Sequence, residues 1–198
     1  MKIPIILMII LSVLVGCKNP KTEYIETVRP IINNLEQIGS ELEKSVEAIK
    51  SDGISITEFE SRIQNLEKRL GTEKQNFNHL VAPMDLDLFH KNILEAIAAE
   101  ELAISSIKSF ATRKNMYQLA EKQLSELTKE EAELSSQKEK APQDEKTKNR
   151  LSKISVEKSN LTKQKEGLVS EMDAQIKFYA NSHEYFTKML KSMKRGLK

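Results

Sequence analysis

The chain has no tryptophan, and aromatic residues make up only 5% of its 198 positions. It has one cysteine, three histidines, six glycines and five prolines. Each shortage excludes something. A lone cysteine cannot close an internal disulfide or supply a thiolate cluster to a metal. Neither sign of charge dominates: 31 basic against 29 acidic residues leave a formal net charge of +2. No global field therefore steers nucleic acid to this chain, and none is expected as a partner. No apolar run reaches the roughly 20 residues that a membrane-spanning helix needs. There is no glycine-rich phosphate loop, no nucleotide fingerprint and no persuasive Ser-His-Asp order. Catalytic residues, a small-molecule substrate and a cofactor are accordingly not expected.

What is present suits helices. Charged residues make up 30% and hydrophobic residues 39%, with Glu, Lys, Leu, Ile, Ser and Gln prominent, a mix typical of long helices and coiled coils. Apolar positions at the 3.6-residue period predict a first helix from about Pro20 to Lys50, with the stripe Ile25, Val28, Ile32, Leu35, Ile38, Leu42, Val46 and Ile49. Asn19-Pro20 suits its cap and first residue. Pro30 should kink it or mark its true start. Ser51-Asp52-Gly53 reads as a turn, and Thr57-Glu58-Phe59-Glu60 as a capping box. A second helix carries Phe59, Ile63, Leu66, Leu70 and Phe77, is weakened at Gly71, and ends at Ala82-Pro83 with Asp85 capping the next.

The third helix runs from near Leu86 to Ala141-Pro142, and the fourth from about Asp144 to the C-terminus. Their apolar stripes change width. The third is broad at Phe89, Ile93, Ile97, Ala98, Leu102, Ile104, Ile107 and Phe110, then narrows to Tyr117, Ala120, Leu124, Leu127 and Leu134. The fourth is narrow at Leu151, Ile154, Leu161 and Leu168, then broadens through Met172, Ile176, Phe178, Tyr179, Tyr185, Phe186, Met189 and Leu190. A broad stripe implies several neighbours, and a narrow one implies a single partner. With the turn near Pro142, Leu134 faces Leu151, Glu131 faces Ile154, Leu127 faces Lys158, Leu124 faces Leu161, Ala120 faces Lys165 and Tyr117 faces Leu168. The expected fold is all-α: an antiparallel four-helix base whose third and fourth helices extend as a two-stranded antiparallel coiled-coil hairpin. Residues 22–198 form one domain, with the stalk at about residues 113–172.

The N-terminus carries the most specific pattern. Met1-Lys2 is followed by an apolar run from Ile3 to Val15, broken only by Pro4 and Ser12, and the run stops at Leu14-Val15-Gly16-Cys17. A basic start, a short apolar core and a small residue before the break make a secretory signal. The last four residues resemble the lipobox of bacterial lipoproteins. That resemblance implies cleavage after Gly16 and a diacylglyceryl and acyl lipid, such as palmitate, on Cys17. Residues 1–16 are then the signal and 17–21 the attachment point and linker. The mature chain is tied to the cell membrane or outer membrane, facing outside the cytoplasm. Pro83, His90, Leu94 and Ala96 also resemble segments of small helical lipoproteins of unknown function, which implies no residue roles.

Two surface segments are candidate contacts. Lys188, Lys191, Lys194, Arg195 and Lys198 make an acid-free basic C-terminus. It either complements the helix dipole or meets an anionic surface, lipid headgroup or wall polymer. Lys140, Pro142, Gln143 and Asp144 mark the hairpin tip, either a solvated turn or a partner site held away from the membrane. Asp85, Asp87 and His90 follow His79 closely, but only one of the two Glu-x-x-His-type motifs of a di-iron bundle has even a near match, so no metal is expected. Glu100-Glu101 and Glu130-Glu131 read as solvated ion-pair partners. The expected function is a non-catalytic, lipid-anchored interaction or scaffold module of the cell envelope, with an unknown protein or envelope polymer as partner. An immunity, exclusion or inhibitor lipoprotein that binds one protein is the alternative.

Overall fold

The computed structural model describes residues 19–140 and 144–197, so the proposed signal and Cys17 lie outside the described residues. Four long helices account for most of the rest: α1 (Pro20–Lys50), α2 (Ile56–Asn78), α3 (Asp87–Lys140) and α4 (Glu145–Gly196). A short 3-10 turn, Met84–Leu86, precedes α3.

Asn19 caps α1 by accepting from the Lys21 amide at 3.0 Å. Pro20 opens the helix, where a missing N–H costs nothing. Pro30 neither starts nor ends α1. It lies on the exposed face, where its ring meets solvent rather than a neighbouring helix. The buried stripe runs through Val28, Ile32, Leu35, Ile38, Leu42, Val46 and Ile49 as the period predicts. At its start, however, Tyr24 is buried and Ile25 is only half-buried. The Tyr24 hydroxyl reaches Nδ1 of His90 at 2.7 Å, a bond that isoleucine cannot make.

The cap of α2 is Ser55, not Thr57: Ser55 Oγ accepts from the Glu58 amide at 3.1 Å. This choice puts Ile54 just before the cap and Phe59 four positions after it, the two places of a hydrophobic staple. Phe59 is fully buried and Ile54 packs on the same core. Helix α2 stops at Asn78, four residues before Ala82, as Leu80 turns back to donate to the Phe77 carbonyl at 3.0 Å. Asp85 sits in the 3-10 turn and pairs with Lys21 at 3.0 Å.

The helices alternate in direction. Tyr24–His90 joins the starts of α1 and α3, so these two run parallel. Lys114, near the end of the shared base, donates to the Ile49 carbonyl at 2.6 Å and pairs with Asp52 at 2.6 Å. A cation there satisfies a free carbonyl at the α1 C-terminus and complements its dipole. Asp52 itself adopts φ 56°, which a short polar side chain tolerates. Arg29 donates to the Leu197 carbonyl at 3.1 Å, so α4 returns antiparallel to α1.

The core common to all four helices ends at Ala111 on α3 and Met172 on α4. On α3 it is built from Ile93, Ala96, Ile97, Ala99, Ala103, Ile104, Ile107 and Phe110. Ala98 and Leu102, expected in this stripe, face solvent, as do Phe178 and Tyr185 on α4. Alanines on the inner face let α3 close on its neighbours and turn the larger Leu102 outward.

Beyond the core, α3 and α4 continue as an antiparallel hairpin. Ala120, Ile154 and Leu168 are buried along its seam. Lys165–Glu121 (2.8 Å) and Lys158–Glu131 (2.7 Å) bridge the two helices within about one turn of the sequence register. The charged layers are accommodated by reach. Each lysine lays its stem across the seam and carries its ammonium to a flanking carboxylate. Lys165 also sits 4.5 Å above the centre of the Tyr117 ring.

Candidate functional site

The most distinctive chemistry lies where α3 and α4 cross beside α1. Glu100 is fully buried, although its neighbour Glu101 behaves as expected and pairs with Lys74 at 2.8 Å on the surface. Glu130 and Glu131 likewise pair with Arg150 and Lys158. The period explains the exception: Ile93, Glu100 and Ile107 are seven residues apart, on one core-facing line. A buried carboxylate needs a partner, and His183 Nδ1 supplies it, 3.0 and 3.2 Å from the two carboxylate oxygens. Tyr179 stacks on the His183 ring at 5.4 Å.

Burial pushes the Glu100 carboxyl above its usual range, and the bond to His183 only partly offsets this. For His183, burial alone would lower the pKa, but the Glu100 hydrogen bond and charge outweigh it and raise the imidazole above its ordinary value. Both shifts favour keeping a proton within the pair. One proton held by the pair, on either partner, would leave the buried site without net charge.

His183 also lines an open groove of about 450 Å³ between α1 and α4. Phe186 and Leu190 form its apolar floor, Glu36 and Glu43 edge it on α1, and Lys191, Lys194 and Arg195 edge it on α4. Gly39 of α1 lines the groove where α1 passes closest to Phe186. A Cβ at Gly39 would stand 2.6 Å from Phe186 Cε1. Of the predicted basic segment, Lys188 pairs with Glu184 at 2.6 Å and Lys194 with Glu36 at 2.6 Å. Lys191 and Arg195 are exposed at the groove edge. Lys198 lies outside the described residues.

The histidines do not converge. His90 stacks on Phe77 with ring centres 4.3 Å apart, and burial lowers its pKa. His79 closes the C-terminus of α2. Asp85 and Asp87 are paired with Lys21 and Lys91. Among the described residues no three metal-ligating side chains come together.

At the tip, Lys140 is the last residue of α3, and Pro142 and Gln143 lie outside the described residues. Asp144 caps α4, accepting from the Lys146 amide at 3.1 Å and from the Thr147 hydroxyl. Along the arm that leads there, Met116, Leu119, Val156 and Val169 are exposed. No described helix is long and apolar enough to cross a membrane. Comparison of the chain with protein-family models, with characterised proteins and with solved structures finds no match to any of them.

Proposed function

We propose that this chain is a lipid-anchored module of the cell envelope that holds a helical arm out to a partner. The observation that carries the reading is the arm itself. The shared core stops at Ala111, yet α3 continues to Lys140, about 44 Å farther at 1.5 Å per residue. That length buries little and contributes little to the core, so its use lies elsewhere. The arm points away from the end where α1 begins, and α1 begins three residues after Cys17. A lipid on Cys17 would therefore leave the tip farthest from the membrane. The exposed apolar residues Met116, Leu119, Val156 and Val169 offer contact area to a protein or an envelope polymer.

The reading is non-catalytic. Glu100 is enclosed and occupied in orienting His183. The pair thus works as a buried polar tie between α3 and α4.

A photocrosslinking residue at Gln143, with a second at Val156, tests the arm in living cells. A discrete protein or polymer adduct from either position is expected. Reaction with water alone at both, with adducts only from the base, would reduce the hairpin to a spacer.

A further inference from the structure

The end of the bundle where α1 begins carries an uncovered apolar edge. The segment between α2 and α3 is apolar on two sides. Leu80, Ala82, Leu86 and Phe89 turn inward and pack on the core. Val81, Met84 and Leu88 turn outward and are 90%, 96% and 72% exposed, three of the most exposed large apolar side chains among the described residues. The segment is level with the first turns of α1: Lys21 pairs with Asp85 at 3.0 Å, and Tyr24 bonds His90. Asn19 caps α1 there, two residues from Cys17, which a chain of about 3.3–3.6 Å per residue cannot separate by more than about 7 Å.

We infer that Val81, Met84 and Leu88 seat this end of the bundle in the phospholipid surface beside the lipid on Cys17. The inference rests on the anchoring reading above and adds a second, noncovalent contact that fixes how the bundle stands. Charge does not oppose the occupant strongly: the two acids of the segment, Asp85 and Asp87, each pair with a lysine, Lys21 and Lys91 (2.7 Å), which leaves Glu23 beside Val81 as the other acid at this edge. Lysines at such an edge can hold their ammonium groups at headgroup level while their stems lie in apolar surroundings. The basic C-terminus is set back. Leu197 lies beside Arg29, ten residues into α1 from Asn19 and so roughly 15 Å from that end.

The absence of tryptophan supplies the test. Met84→Trp places a single indole on the segment, at a position too exposed to disturb folding, and Val156→Trp places one on the arm as control. The full precursor is produced in bacteria, and the mature chain is reconstituted into phosphatidylethanolamine–phosphatidylglycerol vesicles with brominated acyl chains. Flotation and the mass of the N-terminal peptide are read first. With a floating, acylated chain, the Met84→Trp emission should shift to the blue and be quenched by the bromolipid, while Val156→Trp stays quenchable by aqueous iodide. A floating, acylated chain in which both indoles answer only to iodide overturns the inference and leaves the anchor standing. So does an indole at 84 shielded from both quenchers, which would mean that protein covers the segment. An unacylated chain that does not float overturns the anchoring reading, and this inference with it.

Discussion

Gly39 shows how much one missing methyl group decides. A Cβ there would collide with Phe186 at 2.6 Å and press on His183 at 3.4 Å, whereas at Gly71 and Gly167 it would meet nothing within 4 Å. Replacing a helix-interior glycine by alanine is worth about 0.5–1 kcal/mol of backbone entropy, while overpacking a core costs about 1–3 kcal/mol. Gly71→Ala and Gly167→Ala should therefore raise Tm, by roughly 1–4 °C each for a chain of this size. Gly39→Ala should lower it, and thermal melts of the three variants check the contrast.

Glu100 is the residue that sequence reasoning misjudged. Its doublet with Glu101 in a lysine-rich helix suggested solvent, but the seven-residue line from Ile93 to Ile107 was the better guide. What the sequence could not supply was the partner, because His183 comes from 83 residues away. The pair predicts a pH dependence. Both pKa values are raised on folding, so the folded state binds more protons than the unfolded one. Stability from the pair is complete below about pH 4.5 and falls as pH rises through and beyond 6.5, leaving an ionised buried Glu100 beside a neutral imidazole. Urea melts from pH 5 to pH 8 should show this loss in the native chain and a flatter profile in Glu100→Gln. His183→Ala, which removes the partner outright, should cost on the order of 3–5 kcal/mol at pH 7. Equal slopes in native and Glu100→Gln chains would contradict the shared proton.

At the scale of elements, periodicity was a good guide to the long helices and a poor one to their ends. The stripes of α1 and α2 stand nearly as their 3.6-residue spacing predicts, because one face of each packs on a single continuous core. The ends depend on competition between neighbouring caps. Ser55 won over Thr57 by bringing Ile54 and Phe59 into a staple. The α2 terminus came early because Leu80 turned inward. The outer faces of α3 and α4 were misread at Leu102, Phe178 and Tyr185, since apolar character alone does not say which side of a broad stripe has a neighbour. The hairpin register was legible to within about a turn, because the turn signal near Pro142 sets which residues of the two narrow stripes face each other. Cysteines at Leu124 and Leu161 should accordingly crosslink under mild oxidation, whereas Leu124 with Ile154, one heptad away, should not. The reverse pattern would mean that the arm pairs in a different register from the one its ion pairs imply.

At the scale of the molecule, a four-helix base and a two-helix arm divide the work. The base concentrates the apolar core, the Glu100–His183 tie and the apolar edge at Val81, Met84 and Leu88. The arm carries little core and several exposed apolar side chains. In the proposed reading the orientation of the whole rests on one atom, the sulfur of Cys17, because a lipid there would give a bundle with an arm a membrane end and a reaching end. The direct measurement is the mass of the N-terminal peptide from the chain as bacteria produce it. A peptide that begins at Cys17 and carries diacylglyceryl and acyl chains is the predicted result, with Cys17→Ser remaining unacylated. A peptide that still begins at Met1, or a bare Cys17 thiol, would contradict the anchor and the orientation built on it.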